Sequence, residues 1–406
     1  MRRLAKQIKS YWRQFLSVAA NEYRTIFSDS GVLLVLVFAL LIYSTVYSLA
    51  YRPQVLRNVP IAVIDECRTQ ASRNLVSMFD AGPNTYVAYE PTGMEEARRL
   101  LFEREIYGIV YIPEDYERQL AAGLQAVVPL YADASNFLVY RQVFQEIVTG
   151  INLTGAKVEF GRLLAKGAAE PAAKATTQPV IYQTHNLFVP YLGYGSFVMP
   201  AIIMIIIQQT LLIGIGMIGG TWREYGLYSK LIPEGRTRMA TLPAVLAKAA
   251  VYGSIYAVTT LYVLSLHYRM FDYPMNGSPW TVAAMMIPYL AACIFMGIAV
   301  STLFRYRENS LLLLLWTSIP VLMLSGASLP PQAIPDWLYT FGKIFPSSSG
   351  VNAFVRIQTM GASFDEVLPE IRMLWSLAVI YGGLACIGIH VITNRMDTQK
   401  RREPKL

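Results

Sequence analysis

Six stretches of this chain are long, apolar and free of charge at their centres: Gly31 to Tyr51, Ser196 to Gly220, Leu242 to Leu266, Thr281 to Phe304, Ser310 to Leu329 and Met373 to Thr393. About 20 mostly apolar residues is what a helix needs to cross a hydrocarbon layer about 30 Å thick. Backbone in that layer must satisfy its own hydrogen bonds, so the pattern predicts six transmembrane helices. The composition points the same way, with 54% hydrophobic and only 15% charged residues, where an ordinary soluble domain carries about 25% charged. A soluble enzyme and a disordered chain are excluded. So is a disulfide scaffold, since Cys67, Cys293 and Cys386 are too few to staple one and the last two fall inside apolar runs.

The first run follows a basic, amphipathic segment and is too long for the apolar part of a secretory signal, so it reads as an uncleaved anchor. Lys and Arg then set the orientation. With the N-terminus inside, residues 1–30, 221–248, 305–309 and 394–406 are cytoplasmic and carry 18 Lys plus Arg against 7 acids, while the other side carries 17 against 20. The net charge of +8 is therefore mainly a topology signal, and no nucleic-acid partner is needed to explain it. Lys248, near the inner end of the third run, is expected to snorkel to the cytoplasmic interface. Arg2, Arg3, Lys6, Lys9 and Arg13 alternate with Leu4, Ile8, Trp12, Phe15 and Leu16, as in a helix lying on the lipid of the inner leaflet. Lys400, Arg401 and Arg402 form a plain positive flank.

Between the first two runs, residues 52–190 have normal charge density and read as a separate α/β domain. Val59 to Ile64, Tyr86 to Tyr89, Ile106 to Ile112 and Val127 to Tyr131 are strand-like. The segments between them have helical periodicity: Ala71, Leu75, Met78 and Phe79 share one side, Thr92 and Glu95 have capping-box spacing, and Gly123 can end a helix from Glu114 to Ala122. Tyr140, Phe144, Ile147 and Ile151 recur at the spacing of a long helix with one packed stripe. Ala168 to Pro179, rich in Ala, Thr and Pro, reads as a linker.

Catalytic signatures are missing. His185, His267 and His390 have no Cys or carboxylate at metal-ligand spacing, and there is no nucleophile elbow, zinc-protease motif or redox Cys pair. Gly214-Ile215-Gly216-Met217-Ile218-Gly219 spells a dinucleotide fingerprint inside an apolar run, where close helix packing through Gly216 and Gly220 is the better explanation. Glu95-Glu96 and Asp365-Glu366 sit in solvated, charge-mixed stretches and read as surface. The Gly342-Lys343 pair is followed by Ile344, so there is no phosphate-binding P-loop. Energised transport would need an ion gradient or a second polypeptide, and the centres of the runs lack the ionisable residues of an ion-coupled carrier. Gln208, Gln209, Trp316, Thr317 and Ser318 are the polar candidates for a pathway, with helix-to-helix hydrogen bonding as the alternative role.

The layout resembles the permease subunit of type-2 ABC exporters: one span, a large extracytoplasmic domain, then five spans. Asn21-Glu22-Tyr23-Arg24-Thr25-Ile26-Phe27 is similar to that family's elbow helix. Val59-Pro60-Ile61-Ala62-Val63-Ile64-Asp65 with Ser72-Arg73, Ala97-Arg98, Tyr107 to Pro113 and Leu130 to Asn136 are similar to its external domain. Trp222, Arg223, Glu224, Tyr225, Gly226 and Leu231 resemble the segment that couples such permeases to their ATPase, although Leu227 stands where the family often has a small hydroxyl residue; a charged turn is the simpler alternative. Gly326 to Pro330, Ile334 to Leu338, Phe345 to Gly350 and Phe354 to Ala362 closely resemble the family's two short external helices that dip back into the membrane. There Pro346, Ser347, Ser348, Gly350 and Arg356 are the implied gate. Arg356 has three open roles: contact with an anionic headgroup, contact with a neighbouring subunit, or snorkelling to water.

The resemblance implies an α-helical polytopic membrane protein with six transmembrane helices and an α/β extracytoplasmic domain between the first and second spans. Its parts would be an elbow helix (1–30), a first span (31–51), the external domain with its long helix and linker (52–190), a five-helix membrane domain (191–394) and a cytoplasmic tail (395–406). The membrane domain would carry the coupling loop 221–241 and the external reentrant segment 330–372. The implied function is the non-enzymatic permease half of an exporter in a bacterial inner membrane, moving a drug, lipid or other amphiphile. ATP and Mg would be bound by a separate cytoplasmic ABC ATPase, with no cofactor in this chain. A second copy or paralogue would complete the pathway, and a periplasmic adaptor and outer-membrane channel are further implied partners, docking on the external domain or leaving it to bind substrate. A rival from another class is a non-transporting receptor or scaffold whose external domain binds a periplasmic partner.

Overall fold

The computed structural model describes residues 2–180, 183–189, 193–230, 241–326 and 328–402. The chain divides into two compact units, Met1–Gln54 with Asn186–Leu406, and Val55–His185.

In the first unit, helix α1 (Arg2–Ser28) precedes the apolar helix α2 (Ser30–Ala50), whose N-terminus is capped by Asp29 accepting from the Gly31 and Val32 amides. Then come α8 (Tyr194–Glu224), α9 (Thr241–Met270), α10 (Pro279–Ser301), α11 (Glu308–Leu324), the short α12 (Asp336–Gly342) and α13 (Pro346–Gln358), and α14 (Leu368–Arg402). Among the described residues, five helices are long and apolar enough to cross a membrane: α2, α8, α9, α10 and the stretch Asp365–Arg395 that includes most of α14. The run expected from Ser310 to Leu329 forms a helix of only 17 residues, about 26 Å at 1.5 Å per residue. It stops early because Ser325 and Gly326, the latter at φ +78°, turn the chain.

Helix α8 is apolar on every side, and such a helix belongs inside a bundle. It packs on α2, α10, α11 and α13, and 83% of its apolar stretch is buried. Its glycines make this closeness possible. A Cβ at Gly216 would lie 2.7 Å from the Ser310 Cβ, and one at Gly220 would lie 2.6 Å from the Tyr306 carbonyl oxygen. The fingerprint-like glycines are therefore packing residues. Gln54 caps the start of α8, its Oε1 accepting from the Ser196 amide (3.0 Å) and hydroxyl (3.2 Å).

The second unit is a four-stranded sheet in the order β2-β1-β3-β4, made of β1 (Val59–Asp65), β2 (Thr85–Tyr89), β3 (Gly108–Ile112) and β4 (Leu130–Ala132). β1 is parallel to β2 and β3, and β3 is antiparallel to β4. Parallel neighbours need crossovers, supplied by α3 (Gln70–Asp80) and α4 (Met94–Phe102), while α5 (Tyr116–Ala122) leads to β4 and ends at Gly123 in the left-handed region. Alternation along β1 serves two cores. Val59, Ile61 and Val63 pack with Leu75, Phe79 and Val143, while Ala62 and Ile64 pack with Ala97, Leu100 and Ile109.

Three local expectations change. The long helix α6 (Phe137–Ala165) buries Val139, Val143, Ile147 and Gly150, one step round from the expected stripe, and Phe144 is exposed. The reason is Gly150, whose missing side chain admits the Phe79 ring to within 2.9 Å of where a Cβ would sit. The supposed linker contains helix α7 (Glu170–Thr177), started by a proline in its first turn and packed through Ala173. At α4 the cap residue is Gly93, and it is Glu96 that reaches back to the Thr92 amide (3.2 Å).

Candidate functional site

Two groups of polar side chains in the first unit stand out, one around the C-terminal end of α8 and one around the N-terminal end of α13.

Helix α1 places Val18, Glu22 and Ile26 on one buried stripe at intervals of four. An acid on such a stripe needs a partner, because stranding a charge in a low dielectric is very costly. Lys248 of α9 supplies it, with Nζ 2.7 Å from both Glu22 oxygens, and the two side chains are 7% and 0% exposed. Tyr252, one turn further along α9, donates its hydroxyl to Glu22 as well. Lys248 thus does not snorkel. Its ammonium also lies 4.3 Å from the ring centroid of Trp222, a cation–π contact. A second tie between the same helices joins the hydroxyls of Tyr23 and Ser254.

Trp222 and Arg223 occupy the last turn of α8, which continues unbroken through Glu224. Trp222 is buried edge-on against Tyr228, and the Arg223 guanidinium donates to the Thr302 carbonyl at 2.7 Å. Burial pushes the Tyr228 hydroxyl's pKa far up, so it stays protonated. Glu224 and Tyr225 point into solvent, and Gly226 at φ +65° ends the helix. So the expected coupling residues divide into anchors, Trp222 and Arg223, and an exposed tip, Glu224 and Tyr225. Leu231 and Pro233 lie outside the described residues.

A third tie joins the same end of the bundle. Arg307, before α11, pairs in a fork with Asp29, at 2.5 and 2.8 Å. The Arg307 hydrogen bond holds the Asp29 carboxyl below the usual carboxylate range, with the Val32 and Gly31 amides adding to the effect and partial burial opposing it.

At the other group, Gln208 and Ser347 come together although 139 residues apart, with the Ser347 amide donating to Gln208 Oε1 at 2.8 Å. Ser347 stands in the first turn of α13, where amides have no intrahelical acceptor. The Ser348 hydroxyl donates to the Gly342 carbonyl at 2.7 Å, and Gly350 makes room for the Tyr289 ring. Arg356 has an intramolecular partner: it pairs with Glu370 at 2.8 Å and donates to the Glu366 carbonyl at 2.7 Å. Within the chain, Glu370 is a partner for Arg356 that the sequence reading did not name. Its sequence signal was weak, one acid among Asp365, Glu366 and Arg372 ahead of the last apolar run.

Trp316 and Ser318 are not part of this group. Trp316 is exposed on α11 and, with Phe304, Asn309 and Leu312, lines an open apolar surface depression, while the half-buried Ser318 donates back to the Leu315 carbonyl at 2.8 Å. No cluster of metal-ligating side chains occurs among the described residues.

This architecture defines a polytopic helical membrane protein with an α/β unit inserted between its first two spans. The chain belongs to the family described as ABC-2 family transporter protein, which matches residues 30–387, so it is a membrane permease component of an ABC transporter. It is 23% identical over 387 residues to the inner membrane transport permease YhhJ of Escherichia coli (strain K12), covering 92% of this chain and 96% of that one. It is also 23% identical over 364 residues to the probable multidrug ABC transporter permease YbhR of the same organism, covering 89% and 93%. A shorter match, 23% over 128 residues and 30% of this chain, is to ABC transporter G family member 20 of Dictyostelium discoideum, of which it covers 17%.

Proposed function

We propose that this chain is the permease half of an exporter of the bacterial inner membrane, driven by a separate cytoplasmic ABC ATPase that binds ATP and Mg. The observation that carries this reading is α8: one continuous helix of 31 residues, about 46 Å long, ends in Glu224 and Tyr225 and touches the gate helix α13 through Gln208. A rigid helix of this kind transmits motion as a body. Docking of the ATPase would act on the exposed tip, while Trp222, Arg223, Glu22 and Lys248 keep that tip attached to the bundle.

The contacts support the topology read from charge. Glu22 with Lys248 and Asp29 with Arg307 bring together segments that positive charge assigns to the cytoplasm, and Arg223 reaches Thr302 at the inner end of the fourth run. On this reading both termini are cytoplasmic, α11 is the fifth of six spans despite its length, α12 and α13 dip from the outer face, and the α/β unit is external. Membership in the ABC-2 family implies an ABC ATPase partner and a paired permease half. The second half, a copy or a paralogue, covers the exposed apolar side of α11, including Leu312, Leu315, Trp316 and Ile319. The cargo is hydrophobic or amphiphilic, a drug or lipid, in keeping with uncharged span centres and with the multidrug description of one relative. A periplasmic adaptor and outer-membrane channel are further partners for the external unit.

The test is Glu224→Arg. The variant remains in the membrane but loses stimulation of the partner ATPase and export; unchanged stimulation and export defeat the coupling role. Capture of the chain under mild solubilisation is expected to bring a stoichiometric P-loop ATPase with it.

A further inference from the structure

The two ends of α13 are held unequally. At its C-terminal end the Asn276 side chain donates to the Thr359 carbonyl (2.7 Å) and the Asn276 amide to the Gln358 carbonyl (2.9 Å). Arg356 adds its ion pair with Glu370 and its bond to the Glu366 carbonyl. At the N-terminal end, the Ser347 amide bonds to Gln208 of α8. One step upstream, the Tyr381 hydroxyl donates to the Ile344 carbonyl at 2.8 Å. Ser348 ties α13 to α12 through Gly342, and its longer contact to the Leu324 carbonyl, at 3.4 Å, is weak.

The Gln208 contact is also half satisfied. Gln208 and Ser347 are both fully buried, yet Gln208 Nε2 and Ser347 Oγ have no hydrogen-bond partner among the described residues. Next to them, neither amide atom of Gln209 has one. Each buried orphan raises the free energy of the arrangement that contains it, and water relieves that penalty. A permanent staple gains nothing from such a design. A contact that must open does, because the open state lets these atoms find partners that the closed packing does not supply. A neutral amide suits such a contact, since it accepts from a helix N-terminus without bringing a charge into the bundle.

We propose that Gln208 is a positioning residue that latches α13 to α8. Opening begins at this bond, and the α12–α13 pair swings about the C-terminal end of α13 while water reaches Gln208, Gln209 and Ser347. This deepens the driven-permease reading and rests on it, since α8 also carries the exposed tip at Glu224.

The experiment uses the full-length chain in membranes, with Cys67→Ser and Cys386→Ala and a reporter Ser347→Cys that keeps the donating backbone amide; the fully buried Cys293, whose thiol donates to Gln208 Oε1, is left in place and its own reaction is measured without the reporter and subtracted. The probe is N-ethylmaleimide, and the readout is its rate of reaction without nucleotide. Replacing Gln208→Leu removes the acceptor and is expected to raise that rate about five- to tenfold, the equilibrium factor of one neutral hydrogen bond. Gln208→Glu keeps an acceptor oxygen and leaves the rate at or below that of Gln208. A second reporter, Ala353→Cys, buried in the middle of α13, stays slow throughout. Equal rates with Gln, Glu and Leu at position 208 overturn the latch, and a parallel rise at Ala353→Cys overturns the swing in favour of general loosening. Adding the partner ATPase with ATP then tests the driven-permease reading separately: the Ser347→Cys rate rises with turnover if that reading holds.

Discussion

Replacing Lys248→Met removes the ammonium and leaves the Glu22 carboxylate, with no exposed surface, only the Tyr252 hydroxyl. Stranding one member of a buried pair costs about 3–5 kcal/mol, and the loss falls on the packing of α1 against α9. Glu22→Gln is milder, because the new amide oxygen still accepts from Lys248 and Tyr252 and the Trp222 ring stays 4.3 Å from the ammonium; about 1.5–3 kcal/mol is expected for losing a charged hydrogen bond. The double variant leaves no charge behind, and Met fills the space of the lysine stem. Its expected stability is above that of Lys248→Met and about 1–3 kcal/mol below the parent, the cost of leaving the new buried amide's N–H group without an acceptor. The assay is denaturant unfolding of the full-length chain in mild detergent, followed by tryptophan fluorescence and analysed as a double-mutant cycle. A double variant no more stable than Lys248→Met would refute the reasoning, since it would mean that the penalty of the single change does not come from an unpaired Glu22.

The Asp29–Arg307 pair has a pH signature. A carboxyl whose folded-state pKa is depressed contributes stability above its unfolded pKa and loses it as pH falls through the lower folded value. Asp29→Asn preserves capping ability but not the charge, so the stability difference between parent and variant should be flat from about pH 8 to about pH 5 and shrink below about pH 4. Unfolding midpoints measured across that range check it, and a difference that grows on acidification contradicts the pairing. In the α/β unit, Ile147→Ala should cost about 2–5 kcal/mol, whereas Phe144→Ala on the exposed side of α6 should stay within about 0.5 kcal/mol. Thermal melts of the two variants rank them, and the reverse order would contradict the packing of α6 through Ile147 with Phe144 exposed.

Local signals are legible where one segment suffices to produce them. The β-branched run at Val59 announces β1 because a short, continuously apolar stretch ending at an acid is visible in its own residues, and Gly123 marks the end of α5 because a left-handed residue there favours glycine. Edges and faces are less legible. The packed side of α6 is rotated from the expected one because Gly150, not an apolar side chain, makes the closest approach to Phe79. A hydrophobic pattern records what a helix carries, and it does not record where a neighbour needs space.

The same limit applies to the candidate site. Trp222 to Gly226 stand out in sequence, but which of them are anchors and which are exposed depends on Tyr228, Thr302 and Lys248. In sequence Glu22 is part of an elbow motif and Lys248 a cation to be carried to the interface; neither environment contains the other, 226 residues away. Gln208 and Arg356 have several open roles until Ser347 and Glu370 are brought beside them.

Apolar run length, charge asymmetry and short β-branched runs between helical periodicities are properties of consecutive residues, and they were enough to determine a membrane-embedded helical chain with an inserted α/β segment. The pairing of buried polar groups is a property of the folded bundle, because a charge or an amide in a low dielectric is tolerable only beside a partner that tertiary packing delivers. The structure alone therefore decided that Lys248 is buried, that Gln208 caps a helix and that Arg356 is tied within its own chain.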